Sequence, residues 1–306
     1  MPQTTVMPLP ETSRRDPPAL FTWKRATVHG RAAQFGVLGE GFPVLFLHGW
    51  ALAQHAYRDT LRPLVDLGCR IYTPALPGFG GTHDLPRRHL HFSGYADWVE
   101  GFCEVVGLDE PAVVIGHSFG GGVGIAMAQR APGRVRSLTL LNSVGGAWSH
   151  DGRTARPMSE RPLWDWGLTF PSDVLAFAGG TTRILPALLE DAIPNAMRNP
   201  LGLLRIAMLA SSADLAAELA EIRLRGTPVT AVHGDADAII PHTSFAALCR
   251  ELGIDGTVVR GAHSWPIADP TGFAAVMAPI LERARAEQRH RHAGPLTCGA
   301  TDVRGH

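Results

Sequence analysis

Residues 112–121 read Ala112-Val113-Val114-Ile115-Gly116-His117-Ser118-Phe119-Gly120-Gly121, and this stretch decides the fold. Four apolar residues rich in β-branched types predict a strand, and the segment from Gly120 to Arg130 has the length and pattern of a helix. Between them lies G-x-S-x-G, a serine at a tight strand-to-helix turn. Such a turn strains the serine backbone, and glycines two residues to either side remove the side chains that would clash there. The hydroxyl is then raised above the sheet edge, and the Phe119 N–H comes to a helix N-terminus, where dipole and free donors favour a developing oxyanion. A glycine-rich turn of this kind can also pack closely or cradle a phosphate. The spacing, however, does not make G-x-G-x-x-G, and its centre is a serine.

Outward from this turn the same alternation continues in both directions. Val44 to Leu47, Arg70 to Tyr72, Ser137 to Leu141, Pro228 to Val232 and Thr257 to Val259 read as further strands. Leu52 to Leu67, Tyr95 to Val106, Ser244 to Leu252 and Phe273 to Arg285 suit crossover helices. Strands alternating with helices predict an α/β fold with a mostly parallel central sheet covered on both faces. The interval after Ser137 to Leu141 is too long for a plain crossover and contains no convincing strand. It is expected to be an inserted helical cap, residues 146–225, on a core formed by 21–145 and 226–285. Flexible ends are expected over 1–20 and 286–306, the latter rich in Arg, Gly and His, including His290, His292 and His306.

A serine hydroxyl is a weak nucleophile at neutral pH and needs a base, and the base needs an orienting acid. After Ser118, the run His233-Gly234-Asp235-Ala236-Asp237-Ala238-Ile239-Ile240-Pro241 follows a strand and offers two carboxylates. Gly261-Ala262-His263-Ser264-Trp265-Pro266 follows the last strand and offers an imidazole. The chain order Ser, acid, His is the one this strand-turn-helix architecture uses. His263 is therefore the expected base, and Asp237 or Asp235 the acid. His48-Gly49-Trp50, directly after the Val44 to Leu47 strand, offers a second oxyanion donor through the Trp50 backbone N–H.

The bulk properties restrict the alternatives. The 306 residues carry 28 basic and 28 acidic side chains and no long run of one sign, so neither nucleic acid nor an anionic membrane is an expected partner. A small, uncharged molecule fits better, with a homo-oligomer also open. No 18-residue apolar stretch predicts a membrane span, and Met1 to Leu20 lacks the apolar run of a signal peptide, so a cytoplasmic location is expected. Cys69, Cys103, Cys249 and Cys298 show no C-x-x-C pairing and read as free, mostly buried thiols. No pattern demands a cofactor or a metal.

Taken together these residues resemble the α/β-hydrolase superfamily, in the branch with a helical cap inserted after the strand that follows the nucleophile helix. The likeness runs from about Gly30 to Glu282. His48-Gly49-Trp50 is similar to the family's His-Gly oxyanion segment, Leu76-Pro77-Gly78-Phe79-Gly80-Gly81 to its Pro-Gly-x-Gly turn, and Gly116 to Gly121 to its elbow. Gly234 to Pro241 is similar to the acid loop, whose fourth residue carries the carboxylate, and this prefers Asp237 over Asp235. Ala75 stands near the place where an aspartate often precedes the Pro-Gly turn, and Asn142 stands where some relatives carry their acid. The resemblance implies acyl chemistry on Ser118, since dehalogenase and epoxide hydrolase relatives attack with a carboxylate. An ester or thioester of a small apolar acid is the leading substrate, with Trp148, Trp164, Trp166, Phe170 and Trp265 expected around it. Carbon–carbon bond (diketone) hydrolysis and cofactor-free perhydrolysis use the same triad. A receptor that keeps the fold without turnover is the non-enzymatic reading.

Overall fold

A computed structural model describes residues 20–147, 184–186 and 188–293. Eight strands form one sheet: β1 (Thr22–Val28), β2 (Arg31–Leu38), β3 (Phe42–Leu47), β4 (Cys69–Pro74), β5 (Ala112–His117), β6 (Val135–Leu141), β7 (Val229–Gly234) and β8 (Thr257–Val259), in the order β1-β2-β4-β3-β5-β6-β7-β8. β2 runs antiparallel to both neighbours, and every pairing from β4 to β8 is parallel. Every residue of β3, β5 and β6 is buried. Their alternate side chains feed two separate cores. Leu45, Leu47 and Val114 point into one, and Val44, Phe46, Val113 and Ile115 into the other.

The first core is closed by α3 (Phe92–Val106) and α4 (Phe119–Arg130). The second is closed by two short helices, α1 (Arg58–Leu61) and α2 (Pro63–Asp66), and by the last helix among the described residues. α3 starts on the His91 side chain, whose Nδ1 accepts the Gly94 N–H at 2.9 Å, and stops at Gly107, whose φ is 69°. The strands expected from sequence are all present: β8 has the expected bounds, β3, β5 and β6 gain two residues each, β4 gains three, and β7 starts one residue later and ends two later.

One hairpin was missed, and three expectations are corrected. The N-terminal hairpin β1–β2 gave no apolar run, because β1 is an edge strand exposed along most of its length. Its turn, His29-Gly30, has both φ values positive, as a two-residue hairpin turn requires. Leu52 to Leu67 is not one helix, since Pro63 divides it. Beyond β6 the described residues comprise a π-helical turn, Leu188–Ala192, then α5 (Ile193–Arg198), α6 (Pro200–Ser211) and α7 (Ala216–Leu224), with no strand among them. α7 belongs to the core layer, not to a cap ending at 225. Leu215, Leu219 and Ile222 fall on one helical face and are buried in the first core, and Gln129 of α4 donates to Glu221 at 2.6 Å. After β7 come α8 (His242–Leu252), α9 (Trp265–Ala268) and α10 (Pro270–Ala293). The third correction is at the tail. α10 carries helix through residues 286–293, where Ala, Glu, Gln and Arg are good helix formers.

Candidate active site

The elbow is built as the sequence requires. Ser118 lies between β5 and α4 with φ 54° and ψ −116°, a region that L-residues avoid. A Cβ on Gly116 would lie 2.5 Å from the Gly120 carbonyl oxygen, and one on Gly120 would lie 2.2 Å from that of Leu47. Only glycine at both positions lets the helix start directly against the ends of β3 and β5. The strained turn is held on both sides: the Ser118 N–H donates to Leu141 O at 2.9 Å, and its carbonyl accepts from Gly121 N at 3.0 Å and Val144 N at 3.3 Å.

Asp237 and His263 meet at the C-terminal ends of β7 and β8. His263 Nδ1 lies 2.9 Å from Asp237 Oδ2, and the Asp237 side chain is fully buried. The other carboxylate oxygen accepts from Ile239 N at 2.8 Å and Ile240 N at 2.9 Å. An ionised carboxylate can only accept, so the imidazole proton resides on Nδ1 and Nε2 is left as the basic nitrogen. Burial alone would raise the Asp237 carboxyl. The His263 imidazole beside it, the hydrogen bond between them and the Ile240 N–H outweigh that effect and hold it below the usual carboxylate range. Asp235 does different work: its Oδ1 accepts the Gly261 N–H at 2.9 Å and fixes the loop that leads to His263. Of the two carboxylates the structure therefore brings Asp237, not Asp235, to the imidazole.

Among the described residues, neither the Trp50 nor the Phe119 backbone N–H has an acceptor, which is the state an oxyanion donor needs. His48 fixes the segment carrying Trp50. Its Nε2 accepts Leu76 N–H at 2.8 Å, its Nδ1 donates to Gly49 O at 2.9 Å, and burial lowers its pKa to about 4, so it stays neutral. The Trp50 indole donates to Leu203 O of α6 at 2.9 Å, so the segment is also tied to the helices after β6.

Two further side chains reinforce that tie, and sequence reading missed both. Buried Asp191 accepts from the backbone N–H groups of Ala53 (3.0 Å) and Ala56 (2.8 Å) through one oxygen, while its other oxygen lies 3.4 Å from His55 Nδ1. Buried Asn195 donates to Ala51 O at 2.9 Å and accepts Gly80 N–H at 2.8 Å. No local sequence signal marks either residue, because their partners lie more than 100 residues away along the chain.

Asn142, at the end of β6, is the third omission. Its Nδ2 donates to His263 O at 3.0 Å, and its Oδ1 accepts the Gly234 N–H at 2.9 Å. The position where some relatives carry an acid here anchors the base's backbone. Trp265 is a correction: it lies in the second core, its ring 6.2 Å from that of Phe273 and its Nε1 3.3 Å from Asn142 Oδ1, so it packs rather than lines a pocket. Trp148, Trp164, Trp166 and Phe170 lie outside the described residues. Cys69, Cys103 and Cys249 are free and buried as expected. No cluster of three or more His, Cys, Asp or Glu suited to a metal occurs among the described residues, and none of their helices is long and apolar enough to cross a membrane.

A family model described as the alpha/beta hydrolase fold matches residues 43–255. The chain belongs to the α/β-hydrolase family. This α/β-hydrolase is an enzyme, and its relatives are named for several activities. It is 31% identical over 230 residues, 68% of this chain and 85% of the other, to a pimeloyl-[acyl-carrier protein] methyl ester esterase of Aromatoleum aromaticum. It is 29% identical to a 2-hydroxymuconate semialdehyde hydrolase of Pseudomonas putida, over 81% of this chain and 90% of the other. It is 28% identical to a protein of Mycobacterium phage D29 provisionally named a non-heme haloperoxidase, over 80% and 89%.

Proposed function

We propose that this hydrolase cleaves a small, largely apolar carboxylic ester or thioester through an acyl-enzyme on Ser118. The observation that carries the reading is the Asp237–His263 couple, buried and pinned in the tautomer that leaves Nε2 basic, at the same sheet edge as the strained serine turn. In this reading Ser118 Oγ attacks the carbonyl as His263 Nε2 takes its proton. The oxyanion is met by the N–H groups of Trp50 and Phe119. Asp237 stabilises the imidazolium, which then protonates the leaving group, and water deacylates the serine by the same path. The methyl ester esterase relative supports an ester as substrate. The haloperoxidase-named relative keeps perhydrolysis open on the same acyl-enzyme.

Carbon–carbon bond hydrolysis of a diketone is the second reading, favoured by the semialdehyde hydrolase relative, which matches over more of this chain. Turnover of p-nitrophenyl esters from acetate to octanoate by wild type and Ser118→Ala, with a serine-directed phosphonate as trap, separates the two. Ester turnover that disappears with the serine supports the first. Labelling at Ser118 without turnover of any ester moves the assignment to the second. Absence of both turnover and labelling refutes the serine mechanism.

A further inference from the structure

Tyr57 and His117 take no part in the proposed chemistry, yet both are buried side by side beneath it. Tyr57 Oη lies 3.3 Å from the backbone nitrogen of Gly49, in the oxyanion segment, and 2.7 Å from His117 Nδ1. On the other side of the ring, His117 Nε2 lies 3.0 Å from the carbonyl oxygen of His263. A carbonyl can only accept, so Nε2 carries the ring proton and Nδ1 must accept from the tyrosine hydroxyl. The phenol oxygen is then left to accept from Gly49 N–H. Only one arrangement of protons satisfies all three contacts, and every donor in it points in the same direction around the chain.

That arrangement is also locked. Burial lowers the His117 imidazole to about 3 and raises the Tyr57 phenol well above its ordinary range, so neither changes protonation in the working pH range. The close approach is equally specific. A Cβ on Gly49 would lie 3.0 Å from His117 Nδ1 and 3.3 Å from Ser118 Cβ, so the oxyanion segment rests directly on both the nucleophile and the relay.

We propose that Tyr57 and His117 are positioning residues, forming a buried hydrogen-bond relay that couples the oxyanion segment at Gly49 to the backbone of the base at His263. The relay sets the distance between the oxyanion donors and the imidazole with one rigid connection through the protein beneath Ser118. It rests on the serine mechanism proposed above. Displacing either half by a fraction of an ångström misaligns attack without touching the substrate pocket, so the loss falls on kcat and leaves KM in place.

The test is steady-state ester hydrolysis and the rate of phosphonate labelling at Ser118 for wild type, Tyr57→Phe, His117→Phe, His117→Gln and Tyr57→Phe/His117→Phe. Glutamine keeps one acceptor and one donor and is the conservative replacement. We expect Tyr57→Phe to lower kcat by about tenfold to a hundredfold at unchanged KM. His117→Gln should retain more activity than His117→Phe, and the double variant should be no worse than His117→Phe, because the tyrosine acts through the histidine. Should His117→Phe not fold, Tyr57→Phe alone and combined with His117→Gln decides the same point. Wild-type kcat in Tyr57→Phe, multiplying losses in a double variant, or a loss that falls on KM alone overturns the relay. A wild-type protein that phosphonate does not label at Ser118 instead overturns the serine mechanism on which the relay rests.

Discussion

Acidification from pH 7 to pH 5 is expected to destabilise this protein through histidines that the fold holds neutral. His48 and His117 are both buried, with pKa values lowered by that burial to about 4 and about 3. In the unfolded chain each returns to about 6.5. Between the folded and unfolded values only the unfolded chain binds the proton, so stability falls as the pH falls below about 6.5. Each histidine contributes about 1.4 kcal/mol per pH unit, so at pH 5 each costs roughly 2 kcal/mol and the pair roughly 4 kcal/mol. His233, also lowered by burial although the Asp237 charge opposes the shift, adds in the same direction. Asp237 has the opposite dependence: its stabilisation is present above the unfolded carboxylate value and is lost as the pH falls through its depressed folded one, at lower pH again. Urea unfolding followed by tryptophan fluorescence at half-unit steps from pH 7.5 to 4.5 measures the slope. His117→Gln should reduce it by about one proton. An unfolding free energy that changes by less than about 1 kcal/mol between pH 7 and 5 refutes the reasoning.

Other substitutions test the site more directly. Asp237→Asn should lower kcat by about 10⁴ through the wrong tautomer of His263, whereas Asp235→Asn should act mainly on the loop at Gly261 that its side chain holds. The larger kinetic loss in Asp235→Asn would reverse the assignment. Asn142→Leu leaves His263 O, Gly234 N–H and the Trp265 indole without their shared partner, and should cost about 3 kcal/mol in urea unfolding. Full stability in that variant would show that solvent or a neighbour replaces the amide. Asp191→Ala removes the acceptor of two backbone N–H groups next to the oxyanion segment. It should lower stability by about 2 kcal/mol and reduce kcat, as denaturation and ester assays would show; an unchanged kcat would separate this anchor from the chemistry.

Some of these features were legible in the linear sequence because they are local. Strand, glycine-flanked serine and helix follow one another within residues 112–130, and the need for glycine at 116 and 120 arises from backbone less than five residues away or from the adjoining strand end. The parallel core strands were legible because burial on both faces leaves a continuous apolar run. β1 was not, since an exposed edge strand has no such run, and the extent of α10 was hidden by a polar composition that suits both a solvated helix and a loose tail.

The choice between Asp235 and Asp237 needed tertiary structure, because two carboxylates two residues apart differ only in what their loop turns them toward. One faces Gly261 N–H, the other His263 Nδ1. Asn142, Asp191 and Asn195 gain their meaning from partners 92 to 144 residues away, a separation at which no periodicity or spacing rule operates. Trp265 shows the same limit in reverse. Its place directly after the histidine loop suggested a pocket wall, but α9 turns its ring into the second core against Phe273. Sequence determined which residues are available at the sheet edge, because glycine spacing and strand order are chain-local constraints. Only the fold decided which of them touch, because hydrogen-bond direction and side-chain facing are set by elements that meet from distant parts of the chain.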